Sequence, residues 1–199
     1  MYDTWHDISL SQYTQIYNII TDETLSEEDK IVLITTELFN VDILNTEFSL
    51  VADKLKIVTN LLGQEIPIGI VPEQYVINDT EYVLTKDLSK ITTAQFMDYM
   101  NYMNGDMKNV NTYHDFLSIF LIPKGKTYNN GYDIVKLKKD ILSLSIVDVL
   151  GIADFFLTSY KNLLKIFRKY LVWEALTMKG VKMKEKKKLI KKILGDYSL

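Results

Sequence analysis

Residues 145–178 read SIVDVLGIADFFLTSYKNLLKIFRKYLVWEALTM, and the expected fold turns on this stretch. Val149, Ala153, Phe156, Tyr160, Leu163, Leu164, Phe167, Leu171 and Met178 recur at steps of three and four, which keeps them on one face of a helix. Phe155, Ile166, Tyr170 and Trp173 make a second apolar strip beside the first. A helix on the surface of a domain needs one stripe. Two stripes predict cover on most sides, from its own domain or from a partner. Unbroken, such a helix spans about 50 Å. That exceeds a small domain's diameter, so the sequence predicts that part of it projects or that it bends at Gly151.

Upstream, the same helix grammar recurs. Ile8-Ser9-Leu10-Ser11-Gln12-Tyr13 carries a capping serine, a glutamine three residues on and a flanking apolar pair, which together open a helix running to Thr21-Asp22. Leu144-Ser145-Ile146-Val147-Asp148 opens the long helix in the same way, and Ile91-Thr92-Thr93-Ala94-Gln95-Phe96 repeats the first pattern. Trp5, just before the first start, reads as core, with a docking anchor for another subunit as the alternative. Further helices are expected after Ser26 (Ile31, Ile34, Leu38 and Phe39 inward), over Phe48–Leu62 (Leu50, Val51, Leu55, Val58 and Leu62 inward), over 93–103 (Phe96, Met100 and Met103 inward), from Thr112, and over Asp133–Leu142. Residues 66–85 differ in texture. Tyr75 and Ile77 answer Tyr82 and Leu84 across Asn78-Asp79, which reads as a β-hairpin, and Ile68–Val71 is a candidate third strand at an edge. The expected fold is mainly α with a small β-hairpin, a helical bundle around the long helix. Residues 1–178 would form the helical domain and 181–199 a basic amphipathic tail.

The chain of 199 residues is 47% hydrophobic and 25% charged, which places it among folded rather than disordered proteins. It has no cysteine, so disulfides and thiolate metal sites are excluded. The first residues lack the basic and apolar regions of a signal peptide, and no apolar run is long enough to span a membrane. The net charge of −3 conceals an asymmetry: residues 161–199 hold twelve Lys and Arg against three acids, while residues 1–160 hold eleven against twenty-three. Met183, Leu189, Ile190, Ile193 and Leu194 gather apolar surface in the tail, ringed by seven lysines including Lys184, Lys187, Lys188, Lys191 and Lys192. A basic amphipathic helix docks into an acidic protein groove or lies on anionic lipid or nucleic acid. With Arg168 the only arginine, sequence-specific reading of nucleic acid is disfavoured.

Catalytic chemistry finds little purchase. His6 and His114 are the only imidazoles and stand far apart, which gives no zinc spacing. There is no nucleophile elbow and no glycine-rich dinucleotide fingerprint, and Pro123–Gly131 lacks the spacing of a phosphate-binding loop. Asp148 and Asp154 fall on different helix faces, and Asp3 and Asp7 precede the capped start. The residues predict no catalytic, cofactor-binding or metal site. The candidate interaction residues are Trp5, Phe155, Tyr170 and Trp173 with the tail lysines Lys184, Lys187, Lys188, Lys191 and Lys192.

The order Trp5-His6-Asp7-Ile8-Ser9-Leu10-Ser11-Gln12-Tyr13, helices, β-hairpin, Ile91-Thr92-Thr93-Ala94-Gln95-Phe96, then Phe155-Phe156-Leu157 on a late helix resembles a group of small phage proteins. These are encoded among tail and virion genes, often in phages of Bacteroidetes, and are described as tail assembly chaperone-like. Some are similar to proteins carried inside the virion of crass-like phages. The resemblance covers most of residues 5–175 and leaves out the basic tail. It implies a non-enzymatic morphogenesis protein that binds other tail or virion proteins, built into the particle, packaged within it or acting as a chaperone, in the virion or the host cytoplasm. A homo-oligomer is compatible with that role. The reading from another class is a nucleic-acid-binding accessory protein that uses the basic tail helix.

Overall fold

Two of the capping segments, far apart in sequence, close on each other. The Ser9 side chain accepts the Gln12 N–H at 3.2 Å while the Ser9 N–H donates to Gln12 Oε1 at 3.0 Å, opening α1 (Leu10–Ile20). Ser145 Oγ accepts the Val147 N–H at 3.2 Å at the start of α7 (Ile146–Thr177). The two entry segments then run antiparallel: the Leu10 N–H donates to the Leu144 carbonyl and the Ile146 N–H to the Ile8 carbonyl, each at 2.8 Å. Backbone groups that a helix start leaves unpaired are thus satisfied by the other segment. Ile8, Leu10, Ile146 and Val147 are buried around the joint.

The computed structural model describes residues 2, 4–103, 105, 109–178 and 182–195, with the backbone alone for 44, 163, 164, 166–168, 170, 171, 173, 174 and 192–195. It is mainly helical with a small antiparallel sheet, the expected class. The chain divides into two units, Met1–Ala153 and Asp154–Leu199. The expected boundary between the helical domain and the basic tail falls at 179–181, and Gly180, expected to end the long helix, lies outside the described residues. The helix pairs of the first unit do not show one long helix at their centre. The helices of this unit pair among themselves: α1 with α2 (Glu27–Phe39), α2 with α3 (Phe48–Leu62), α4 (Thr93–Met103) with α5 (Tyr113–Phe120), and α5 with α6 (Ile134–Ile141). Only the first turns of α7 belong to this unit, with Val149, Ile152 and Ala153 buried.

The hairpin forms as read. β1 (Gln74–Ile77) pairs with β2 (Thr80–Leu84) in the register Tyr75 to Tyr82 and Ile77 to Thr80. Asn78 and Asp79 both adopt positive φ, 47° and 60°, which the two-residue turn of a twisted hairpin demands. Asn and Asp tolerate that region better than other non-glycine residues, so the turn does without glycine. The third strand is not Ile68–Val71. It is β3 (Leu121–Pro123), which follows α5 directly and pairs with β2 through Val83 and Ile122. Pro123 takes a register position whose N–H would point off the free edge, so no ladder bond is lost.

Ile68 and Ile70 are instead 65% and 92% exposed. Their segment is fastened by the Gly69 N–H, which donates to the Val147 carbonyl at 3.2 Å, and by Lys86 Nζ, which donates to the Val71 carbonyl. Gly69 and Gly151 meet backbone to backbone: a Cβ on Gly151 would stand 2.6 Å from the Gly69 carbonyl oxygen. Gly151 therefore serves the close approach of α7 to the Gly69 backbone.

Trp5 is core and not a docking anchor. It is 4% exposed, donates Nε1–H to the Gln64 carbonyl at 3.2 Å and meets Tyr13 edge to face at 5.8 Å. Two helix faces are rotated from expectation. In α3 Leu61 is buried and Leu50 exposed; in α4 Gln95, Tyr99 and Met103 face inward while Phe96 lies outward. The cause in α4 is Gln95. Its side chain accepts the Thr92 N–H at 2.9 Å and donates to the Ile119 carbonyl at 2.8 Å, which turns the stripe spaced by four from residue 95 toward the core.

Candidate interaction surface

The second unit carries the basic helix α8 (Met183–Gly195). The Lys182 carbonyl starts it by accepting the N–H groups of Glu185 and Lys186, and Glu185 suits the positive end of the helix dipole. Lys186 reaches back and donates to the Leu176 carbonyl at 2.8 Å, near the end of α7. Lys182, Lys184, Lys187, Lys188 and Lys191 are exposed. Apolar residues stand among them, with Met183 61% and Leu189 37% exposed. Lysine heads and apolar side chains together on one short helix make a surface suited to an acidic groove with an apolar floor.

The other candidate residues divide. Phe155 is half-buried and meets Phe156 edge to face at 5.1 Å. Phe156 and Tyr160 are buried, while Met178 of the same expected stripe is 39% exposed. The side chains of Tyr170, Trp173 and Lys192 lie outside the described residues.

Among the described residues of the first unit are two clefts that periodicity did not reveal. One, of about 690 Å³, runs along α2 and the residues after it; Val32, Leu33, Val41 and Ile43 line it, and Asp29 and Asp42 lie in its wall. None of these six side chains is buried, so the apolar floor is open. The other, of about 470 Å³, is polar and lies between α4, α5 and α6. Its charges are matched internally: Tyr128 Oη donates to Asp98 at 2.6 Å, and Lys138 pairs with Asp115 at 2.7 Å. It therefore reads as a fastening of the 123–133 loop onto α4 and of α6 onto α5.

Asp140 is a third polar centre, 4% exposed on α6. It accepts from Tyr82 Oη, from Asn78 Nδ2 at 3.0 Å and from Lys136 Nζ at 2.7 Å. Burial opposes its ionisation, yet the hydrogen bonds from Asn78, Lys136 and Tyr82 prevail and hold the carboxyl below its ordinary pKa. Asp148 is the contrary case: burial pushes its carboxyl up, and His6 offsets part of that. Tyr75 Oη is buried without a hydrogen bond, and burial, then the charge of Asp148, raise its pKa.

Among the described residues, no group of three or more His, Asp or Glu side chains is placed to hold a metal ion, and no helix is long and apolar enough to cross a membrane. The chain matches no protein-family model, no curated protein and no solved structure.

Proposed function

We propose that this protein works by binding other proteins, as a non-enzymatic morphogenesis protein of a phage particle. The observation that carries the reading is α8, where exposed Met183 and Leu189 stand among exposed Lys184, Lys187, Lys188 and Lys191. Exposed apolar residues on a charged helix are stabilised when a partner covers them, and the lysines select an acidic partner. The phage setting is supported by the resemblance of residues 5–175 to virion-encoded proteins. The partners are then other tail or virion proteins, met in the virion or in the host cytoplasm before assembly.

Quantitative mass spectrometry of purified particles and of infected lysate tests the setting. A fixed copy number in the particle identifies a structural or packaged component, and presence in lysate complexes alone identifies an assembly chaperone. Absence from both, or a host gene with no phage genes beside it, overturns the reading. Lysine density also suits nucleic acid. That alternative requires steeply salt-dependent DNA binding that is lost when residues 181–199 are removed.

A further inference from the structure

We propose that the open groove along α2 is the docking site for α8 of a second copy of this chain, so that the protein associates head to tail. The inference rests on reading α8 as a protein-binding helix and names one protein that it binds.

Three observations converge. First, charge matches. Residues 21–45, which build the groove and its surroundings, hold seven acids against Lys30 alone, a net −6. Residues 182–192 hold seven lysines against Glu185 alone, a net +6. Second, the apolar surfaces match. The groove offers Val32, Leu33, Val41 and Ile43, none of them buried and Leu33 41% exposed. The helix offers Met183 and Leu189, both exposed, with Ile190 half-buried. Third, length matches. The groove follows α2 from Asp29 to Asn40, about 17 Å at the helical rise, and α8 is about 20 Å long.

The groove and the helix are different surfaces, so a pair keeps one free groove on one copy and one free helix on the other. The contact is heterologous, so copies add head to tail and the assembly grows with concentration unless the rotation between them closes it. One short helix in one groove buries less area than a standard stable interface, so association is weak and reversible. Because the matched charges are exposed, it weakens as salt rises.

Sedimentation of the full chain tests this. At about 0.05 M salt the average mass should climb above 23.1 kDa as concentration rises, and return toward it at about 0.5 M. Two variants at exposed positions separate the partners: Lys187→Glu with Lys188→Glu and Lys191→Glu disables the helix, and Leu33→Lys disables the groove. Circular dichroism confirms that each remains folded. Each variant alone should stay at monomer mass. Mixed in equal amounts they retain one good groove and one good helix, so the mixture should reach twice the monomer mass and stop there. A wild-type chain that stays monomeric at every concentration overturns the proposal. So does a helix variant that still self-associates, or a mixture that does not pair. If the wild-type chain is monomeric but the helix variant loses its complexes with virion proteins, the reading of α8 stands and the second copy is not its partner.

Discussion

Asp140→Ala is expected to destabilise the first unit by about 3 kcal/mol, or about 10 °C in melting temperature for a unit of this size. The carboxylate is buried and accepts from three donors, Tyr82, Asn78 and Lys136. A hydrogen bond to a charged group contributes about 1.5–3 kcal/mol, and a buried donor left unpaired costs about 1–3 kcal/mol. Tyr82 is 1% exposed, so its hydroxyl has no recourse to water once Asp140 is gone. Asn78 holds the positive-φ turn of the hairpin, and Asp140 ties that turn to α6 beside the bond from Lys136 to Thr80. Tyr82→Phe removes one bond and leaves the other two, so its loss should be about half as large. Lys136→Ala should cost least, because that side chain is half exposed.

The pH dependence carries its own sign. The pKa of Asp140 in the folded chain lies below its unfolded value. Its contribution is therefore present in full above the unfolded value, about 4, and is lost as pH falls through the folded pKa. The gap between wild type and Asp140→Ala should narrow in acid. Asp148 acts in the opposite sense: its folded pKa is raised, so its ionised form opposes folding above that pKa and the penalty fades as pH falls. Urea denaturation of wild type, Asp140→Ala and Asp148→Asn between neutral pH and pH 3 reads both effects. An Asp140→Ala protein within about 1 kcal/mol of wild type at neutral pH would contradict this account of the hairpin.

Gly151→Ala is expected to destabilise by about 2 kcal/mol, although alanine in place of glycine inside a helix ordinarily stabilises by about 1 kcal/mol. The added Cβ would stand 2.6 Å from the Gly69 carbonyl oxygen and 3.1 Å from its carbonyl carbon. Both are backbone atoms and cannot rotate away. The 66–72 segment would have to lift from α7, breaking the Gly69 to Val147 hydrogen bond. Gly69→Ala should behave alike, since its Cβ would stand 2.9 Å from the Val147 carbonyl oxygen. Gly63→Ala is the control: its nearest neighbour is 3.5 Å away, so it should be neutral or mildly stabilising. Thermal melts of the three variants decide the matter, and a Gly151→Ala protein as stable as wild type would refute the close approach.

Features written in a few adjacent residues were legible in the sequence. The Ser9 and Thr92 capping boxes and the Asn78-Asp79 turn depend on partners within three residues, and each forms as read. So does the basic amphipathic pattern of α8. What depended on distant partners was not legible. Leu121-Ile122-Pro123 is too short for an alternating pattern and looks like the end of the α5 apolar run; only the exposed edge of β2 makes it a strand. Apolar spacing alone allows a helix face to be assigned one residue out of phase, as at Leu50 and Phe96, and tertiary bonds such as Gln95 to Ile119 settle the phase. Trp5 sits in the core because the end of α3 presents the Gln64 carbonyl to it, a residue far along the chain. The groove on α2 arises where the chain turns at Asn40, whose φ of 49° folds the following residues back along the helix. No periodicity announces such a cleft.

We propose α8 as a surface for protein. A photo-cross-linking residue in place of Leu189, which is exposed among the lysines, reads its neighbours directly in infected cells. Covalent adducts are expected to virion or tail proteins, or to residues 25–43 of a second copy, and they should disappear when Lys187, Lys188 and Lys191 are changed to glutamate. Adducts to nucleic acid alone, or no adduct while the chain is folded and abundant, would contradict it.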